Sequence, residues 1–200
     1  MKRVALILLV LGAAAPADAR EWRISIQGGS TRILDGGFLV AQDSGWLTNS
    51  DVGVEAELAW GLFAGLKLGG GGGTSPALFG TLTSDLGLID LQATARWHVE
   101  VLSWLRPFAE VGAGASRISL ELRGADVDEA RWTALLTGFA GLELRMPPSW
   151  LFGGSFSAGL QLAGGFTWRS QASFDDVGGT DLGALDIHGG TWRVGVVLSW

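Results

Sequence analysis

Apolar and polar side chains alternate along most of this chain. The clearest run is Val52–Trp60, where every second residue is apolar and the intervening positions are Gly53, Glu55, Glu57 and Ala59. Successive side chains of a β-strand point to opposite faces, so this period of two predicts a strand with one apolar face. No segment has a helical period, and the pattern therefore predicts an all-β protein.

The alternation predicts eight strands. They fall at residues 21–27, 52–60, 62–70, 88–98, 108 onward, 132–145, 156–168 and 189–200. In the fifth segment the apolar positions change phase after Ser116, to Ile118, Leu120 and Leu122, which predicts a β-bulge or a strand that leaves the apolar layer. The last segment, "GGTWRVGVVLSW", alternates up to Trp200. We expect another sheet or lipid to cover its apolar face.

The connections between these strands alternate in length. Short connections lie at residue 61 and at residues 100–107 and 146–154, whereas long polar connections lie at residues 28–51, 71–85, 123–131 and 170–186. Long loops at one rim and short turns at the other are typical of an antiparallel up-and-down barrel that crosses the outer membrane. The pattern therefore predicts an eight-stranded transmembrane β-barrel, with both termini on the short-turn, periplasmic side.

The tryptophans fit the same arrangement. They fall near strand ends or in connections, with Trp22, Trp60, Trp97, Trp104, Trp150 and Trp200 at the short-turn end and Trp46, Trp132, Trp168 and Trp192 at the long-loop end. Indole rings collect at membrane interfaces because the ring is apolar and its N–H group needs a polar partner. The positions therefore indicate two aromatic girdles.

The N-terminal residues predict export. Lys2 and Arg3 precede an apolar run that begins at Val4, and Ala17-Asp18-Ala19 offers a signal peptidase site. We therefore expect a cleaved signal peptide over residues 1–19 and a barrel domain over residues 20–200. The run is too short to span a membrane as a helix.

The chain has no cysteine, which excludes disulfides and a lipoprotein anchor. Its formal net charge of −6, with no basic patch, argues against nucleic-acid binding.

The alternation of inward and outward positions along each strand, which we call its parity, predicts which charged residues face the lumen. The predicted cations are Arg23, Lys67, Arg96, Arg145 and Arg193, and the predicted anions are Glu55, Glu57, Asp90, Glu110 and Glu143. An eight-stranded barrel encloses only enough room for side chains. Because an unpaired charge there is costly, the equal numbers predict a lumen that is filled by ion pairs and conducts little.

Three stretches carry a resemblance to a known family: "MKRVALILLVLGAAAPADA" at the start, the hairpin "VGVEAELAWGLFAGLKLGG", and the final "GGTWRVGVVLSW". Together the mature chain resembles the small eight-stranded outer-membrane barrels of the OmpA/OmpW type. The chain differs from most of them in ending on Trp200 and in having no tyrosine. The resemblance implies that the barrel-assembly machinery recognises the last strand, and that this strand pairs with the first.

The glycine-rich stretch and the two histidines could each have a structural role or a chemical one. The stretch "LGGGGGTS" at residues 68–75 lacks the Gly-Lys-Ser/Thr of a phosphate loop, so we expect a flexible extracellular loop. Parity places His98 in the lumen near the periplasmic rim and His188 on the outer face near the extracellular rim. The acid nearest to His188 is Asp186, but its face carries no nearby serine, so no catalytic triad is predicted.

The predicted long loops are acidic. They contain Asp35, Asp43, Asp51, Asp85, Asp126, Asp128, Glu129, Asp175, Asp176, Asp181 and Asp186. The cluster "DVDE" at residues 126–129 offers oxygen ligands but lacks the spacing of a calcium loop, so solvated loops are expected. A weak divalent-ion site shared with lipopolysaccharide phosphates is the alternative.

These observations predict an integral outer-membrane barrel with a structural or surface-interaction role. We expect it to be a monomer in contact with outer-membrane lipid and lipopolysaccharide, without catalytic, cofactor-binding or metal-binding residues. Two alternatives stay open, a barrel enzyme that acts on lipid through His188, and a narrow transport pore.

Overall fold

The computed structural model describes residues 21–33, 45–77, 82–123, 127–146, 156–174 and 184–200. The predicted signal peptide at residues 1–19 lies outside this part of the chain. The strands are β1 (Trp22–Ile33), β2 (Trp46–Ala59), β3 (Leu62–Ala77), β4 (Leu82–His98), β5 (Leu105–Arg123), β6 (Val127–Arg145), β7 (Ser157–Arg169), β8 (Ala172–Ser173), β9 (Ala184–Leu185) and β10 (Gly189–Ser199). No helix in these residues is long and apolar enough to cross a membrane.

Eight of the strands form a closed antiparallel barrel. Its order is β1-β10-β7-β6-β5-β4-β3-β2, and the short strands β8 and β9 pair with each other outside it. The barrel closes where Ile24 of β1 lies opposite both Val54 of β2 and Leu198 of β10. The N–H group of Trp22 also donates to the carbonyl of Trp200 at 2.9 Å. The predicted eight-stranded barrel is confirmed.

The two ends of the barrel differ. The terminal end holds residues 21 and 200 and the turn at Trp60 and Gly61, whose φ angles are 43° and 78°. These positive values suit a tight hairpin turn, which agrees with the short connection predicted at this point. The opposite end, called the hairpin end, is where the long strands β5 and β6 are joined, between residues 123 and 127.

The strands reach much further toward the hairpin end than the sequence pattern predicts. Strand β1 ends at Ile33 instead of Gln27, and β2 begins at Trp46 instead of Val52. Strands β5 and β6 have 19 residues each. The predicted boundaries of the first three long loops are therefore wrong, whereas the fourth, which contains β8 and β9, lies between Arg169 and Gly189, close to its predicted bounds. In these extensions the outer faces contact water instead of lipid, so polar residues lie outside and apolar residues such as Leu47, Leu86 and Leu120 lie inside. An apolar outer face therefore no longer marks the strand.

The glycine-rich stretch is part of strand β3 and is not a flexible loop. Its residues pair with β2 as far as Gly72 and with β4 as far as Ala77. A Cβ atom on Gly71 would collide with the carbonyl oxygen of Thr48, so glycine lets the neighbouring backbone approach closely. The run hides the strand pattern because glycine has no side chain to alternate.

The change of phase after Ser116 is not a bulge. Strand β5 pairs with β4 and β6 without a register shift, and Glu110, Ser116, Ile118 and Leu120 all point inward. What changes is the polarity of the two faces. On the terminal side of Ser116 the inner face is polar. On the hairpin side the inner face is apolar, and the outer face carries Arg117, Glu121 and Arg123.

The outer surface on the terminal side of Ser116 is apolar around the barrel. Ile26, Val111 and Leu162 are 61%, 62% and 59% exposed, and aliphatic side chains occupy most outward positions nearby. The described tryptophans that flank this zone have exposed or half-buried rings; Trp150 lies outside the described residues. An apolar outer band with aromatic rings at its borders is the arrangement of a barrel that spans a membrane.

The change in polarity predicts different costs for the same substitution at two depths. Both Leu120→Ala and Leu142→Ala lose the transfer free energy of the leucine side chain. Only Leu120 lies in the protein interior, at 3% exposure against 46% for Leu142. Lipid chains refill the gap that Leu142→Ala leaves, whereas Leu120→Ala leaves a cavity. We expect Leu120→Ala to lower the free energy of unfolding by about 1 to 2 kcal/mol more than Leu142→Ala.

Urea unfolding of the reconstituted barrels, followed by tryptophan fluorescence, measures this difference. Equal losses for the two variants would show that Leu120 does not lie in a packed core.

Candidate functional site: the barrel interior

The interior of the barrel is rich in buried charge. The ionisable residues exposed by less than a tenth are Arg23, Asp51, Glu55, Lys67, Arg96, His98, Glu110, Glu143, Arg169 and Arg193. They lie on the inward positions of the strands, where each side chain can reach partners from the opposite wall. Such groups are tolerated only where opposite charges and hydrogen bonds replace water.

Glu110 of β5 is the centre of this network. Lys67 Nζ donates to its Oε1 atom at 2.6 Å, and Arg96 Nε donates to its Oε2 atom at 2.7 Å. Arg193 Nη1 lies 3.8 Å from Oε1. Arg96 also reaches Glu55, with 3.2 Å between Nη2 and Oε1. Five strands (β2, β3, β4, β5 and β10) thus contribute to one cluster, which can form only in the closed barrel.

A second cluster lies toward the terminal end. Arg23 Nη2 donates to Glu143 Oε2, which also accepts a hydrogen bond from Gln161 Nε2 at 2.8 Å. Gln27 Nε2 donates to Gln161 Oε1 at 2.8 Å. The ring of His98 contacts Arg23, with 2.7 Å between Nδ1 and Nη1. His98 therefore belongs to the polar network of the interior, as predicted.

A third cluster lies toward the hairpin end. Asp90 accepts hydrogen bonds from Ser116 Oγ at 2.5 Å and from Arg169 Nη2 at 2.6 Å. Beside it, the hydroxyls of Thr31 and Thr167 each lie 2.9 Å from that of Thr191.

Phenylalanine rings fill the space between the charged groups. Arg23 lies over the ring of Phe63 at 4.9 Å, and Arg193 lies over the ring of Phe139 at 3.9 Å. Arg96 lies 4.7 Å from the centre of the Phe108 ring. Such cation–π contacts hold a guanidinium in place while the ring excludes water.

The ten charged residues that the alternation predicts to face the lumen lie at inward positions, and two of them lie at the mouth. Arg145 and Glu57 are only half-buried, and Arg145 donates to Ser157 Oγ at 2.6 Å near the terminal rim. Glu57 accepts a hydrogen bond from the N–H group of Gly61 at 2.9 Å. Both lie at the ends of their strands, where the lumen opens.

Two buried interior charges lie just outside the predicted strands. The alternation predicts a solvated loop at Asp51, but this residue is 7% exposed and lies 3.6 Å from Arg193 Nη1. Arg169 directly follows the predicted seventh strand, which ends at Trp168. Each residue occupies the next inward position of its strand, so the signal for both is the same alternation continued by one residue.

An apolar core closes the hairpin end of the interior. Its buried members are Ile33, Leu47, Leu86, Leu88, Ile118, Leu120, Leu122, Ala172, Phe174, Leu185 and Ile187. The last four come from the β8–β9 region, which follows β7. This segment therefore packs over the end of the barrel, and we call the whole cluster the apolar cap.

The outer rim carries the second histidine. His188 Nδ1 lies 2.5 Å from Asp186 Oδ1, and its ring is 6.0 Å from that of Phe166. Among the described residues, no serine or threonine hydroxyl contacts His188. The pair is therefore an ion pair or hydrogen bond at the rim and lacks the nucleophile of a triad.

The predicted acidic cluster at residues 126–129 is only partly described, because Asp126 lies outside the described residues. Glu129 Oε2 lies 3.2 Å from Arg131 Nη2. Asp85, assigned to a loop, lies in β4 and is 2.7 Å from Arg123 Nη2. The described residues contain no group of three or more acidic or histidine side chains arranged to hold a metal ion.

Comparison with known proteins agrees with this architecture. A family model described as outer membrane protein beta-barrel domain matches residues 4–199. The fold is similar to the crystal structure of Neisserial surface protein A, with a TM-score of 0.55 and 12% identity over 88% of this chain and 95% of that one. It is also similar to Ail, the attachment invasion locus protein of Yersinia pestis, with a TM-score of 0.50 and 15% identity over 90% of this chain and 98% of that one. No curated protein sequence matches the chain.

The central cluster makes a testable prediction for Glu110→Gln. The substitution keeps the shape of the side chain but leaves Lys67 and Arg96 without a carboxylate between them. We expect it to lower the free energy of unfolding by about 3 to 5 kcal/mol.

The matched control is Glu121→Gln, whose partner Arg123 is 3.4 Å away and whose side chain is 53% exposed. Water screens this surface pair, so we expect a change below about 1 kcal/mol. Urea unfolding in lipid vesicles compares the two, and similar small losses would mean that the interior charges are solvated.

Proposed function

This chain belongs to the outer membrane protein beta-barrel domain family, and on that basis we propose that it is a non-conducting outer-membrane barrel with a structural or surface-interaction role. Its outer apolar band lies in the bilayer. Its interior serves stability, and the residues that meet other molecules lie on the outer wall and at the rims.

The observation that carries this proposal is that the interior is occupied in two different ways. Charged and aromatic side chains fill the section around Glu110, where the ion pairs are nearly inaccessible to solvent. The apolar cap fills the hairpin end, where Ile118 and Ile187 are 0% exposed. A porin instead needs a wider barrel with an open aqueous passage.

Neither alternative has comparable support. A narrow pore would have to cross the apolar cap, which offers a hydrated ion no polar partner. An enzyme that acts on lipid would need a nucleophile beside His188. Its contacts with Asp186 and Phe166 supply none.

We further propose that the hairpin end faces outward from the cell. The even number of barrel strands places residues 21 and 200 at the same end. The extended β5–β6 hairpin at the other end carries charged outward side chains, including Arg117 and Glu121, which suit an aqueous surface. With this orientation the terminal end faces the periplasm.

The first test of this proposal is conductance. We expect the purified barrel in planar bilayers to show negligible steady current, because ion pairs and the apolar cap block the interior. A wide porin measured in the same membranes provides the positive control. Large and persistent single-channel currents would contradict the proposal and favour the pore.

The second test is the orientation. The chain has no cysteine, so single-cysteine variants can be labelled cleanly. Glu121 and Glu100 have side chains that are 53% and 62% exposed, at the hairpin end and the terminal end. A membrane-impermeant maleimide should label Glu121→Cys on intact cells, and Glu100→Cys only after the outer membrane is permeabilised. The reverse result would invert the assignment.

A further inference from the structure

A shallow, open groove lies on the lipid-facing wall of the barrel. It has a volume of about 560 Å³ and runs over β4, β5 and β6. Its outward side chains are Ala93, Ala95, Val111, Ala113 and Leu136. The outer surface is recessed here because three of these five side chains are the short methyl groups of alanine. Elsewhere leucine, isoleucine and valine occupy many outward positions.

An exposed arginine stands beyond one end of this groove. Arg117 lies on the outward face of β5, four residues beyond Ala113 in the direction of the hairpin end. It is opposite Trp132, whose ring is 65% exposed. Within the part of the chain that the structure describes, no carboxylate pairs with Arg117.

The spacing of these two features matches a lipid molecule. Four residues cover about 13 Å along a strand, which at the usual barrel tilt of about 35–45° is about 10 Å along the membrane normal. Arg117 therefore lies about 10 Å nearer the hairpin-end interface than Ala113. Trp132 beside it is the type of residue that marks this interface.

We propose that this groove and Arg117 form a binding site for one lipid A molecule of the outer leaflet. An acyl chain lies in the groove over Ala93 and Ala113, and a phosphate accepts charge-assisted hydrogen bonds from the guanidinium of Arg117. This inference rests on the proposed orientation, which places the hairpin end at the outer leaflet.

A lipid fits this site better than a second copy of the barrel. Two copies related by an axis along the membrane normal would meet through the same wall. Their Arg117 side chains would then lie at the same depth in one interface, where like charges repel. An anionic lipid brings the opposite charge to Arg117, and a flexible chain can follow a shallow groove.

Native mass spectrometry of the full barrel tests this proposal. The probes are lipid A with its phosphates and the same lipid with the phosphates removed. We expect one phosphorylated lipid A to stay bound, and Arg117→Gln to weaken its retention about tenfold, because a hydrogen bond to a charged group is lost. The dephosphorylated lipid should bind weakly to both proteins.

The matched control is Arg32→Gln. Arg32 is also exposed and points outward near the hairpin end, but it lies on β1, away from the groove. A second variant, Ala113→Leu, fills the groove with an apolar side chain that lipid tolerates, and it should lower retention while Arg117 is intact. Ala158→Leu on β7 controls for added bulk.

Three results would overturn the lipid site. They are equal retention of the two lipids, unchanged retention in Arg117→Gln, and equal losses in Arg117→Gln and Arg32→Gln. If Glu121→Cys is labelled on intact cells while any of these is observed, the lipid site fails and the proposed function stands. If the labelling is reversed, the orientation itself fails.

Discussion

Three cationic side chains converge on the carboxylate of Glu110, and the closed barrel depends on this arrangement. Lys67 and Arg96 donate hydrogen bonds to it, and Arg193 approaches from the opposite wall. Hydrocarbon surrounds the barrel, so the polar faces of the strands must turn inward. An interior with room only for side chains then forces these charges to neutralise one another. Because β10 supplies Arg193, the cluster is complete only when the last strand closes the barrel.

The same constraint explains why the interior changes character along its length. Around Glu110 the outer wall contacts lipid, and the inside is polar. Beyond Ser116 the outer wall contacts water, so the strands can bury apolar side chains, as a water-soluble protein does. Leu120 and Ile187 in the apolar cap are the result. The barrel thus has a polar interior where lipid surrounds it, and an apolar core, like that of a water-soluble β-protein, where water surrounds it.

Because charged side chains and the apolar cap occupy much of the interior, the outer wall and the rims are the most accessible surfaces of the barrel. Most of the wall is covered with large aliphatic side chains that any lipid chain can contact. The alanine-lined groove on the terminal side of Arg117 differs from it in shape and in the charge beside it, and it is the site that we propose for lipid A. At the hairpin end, ion pairs such as Asp85–Arg123 hold the extended strands together above the membrane. Function on this scaffold therefore belongs to its exterior.

The sequence by itself determined the eight strands, the closed barrel and most of the interior charges. The two-residue period of the pattern shows directly which face each residue occupies. It did not determine where the strands end. The change of phase after Ser116 has the second of its two predicted causes, a strand that leaves the apolar layer, whereas the loop assignment of Asp51 is wrong. One physical reason explains both results. Alternation shows only that two faces differ, and which face is apolar depends on whether lipid or water lies outside at that depth. That depth, and the partners that converge on Glu110 from three other strands, exist only in the tertiary structure, because closure of the barrel brings together residues that are distant in the chain.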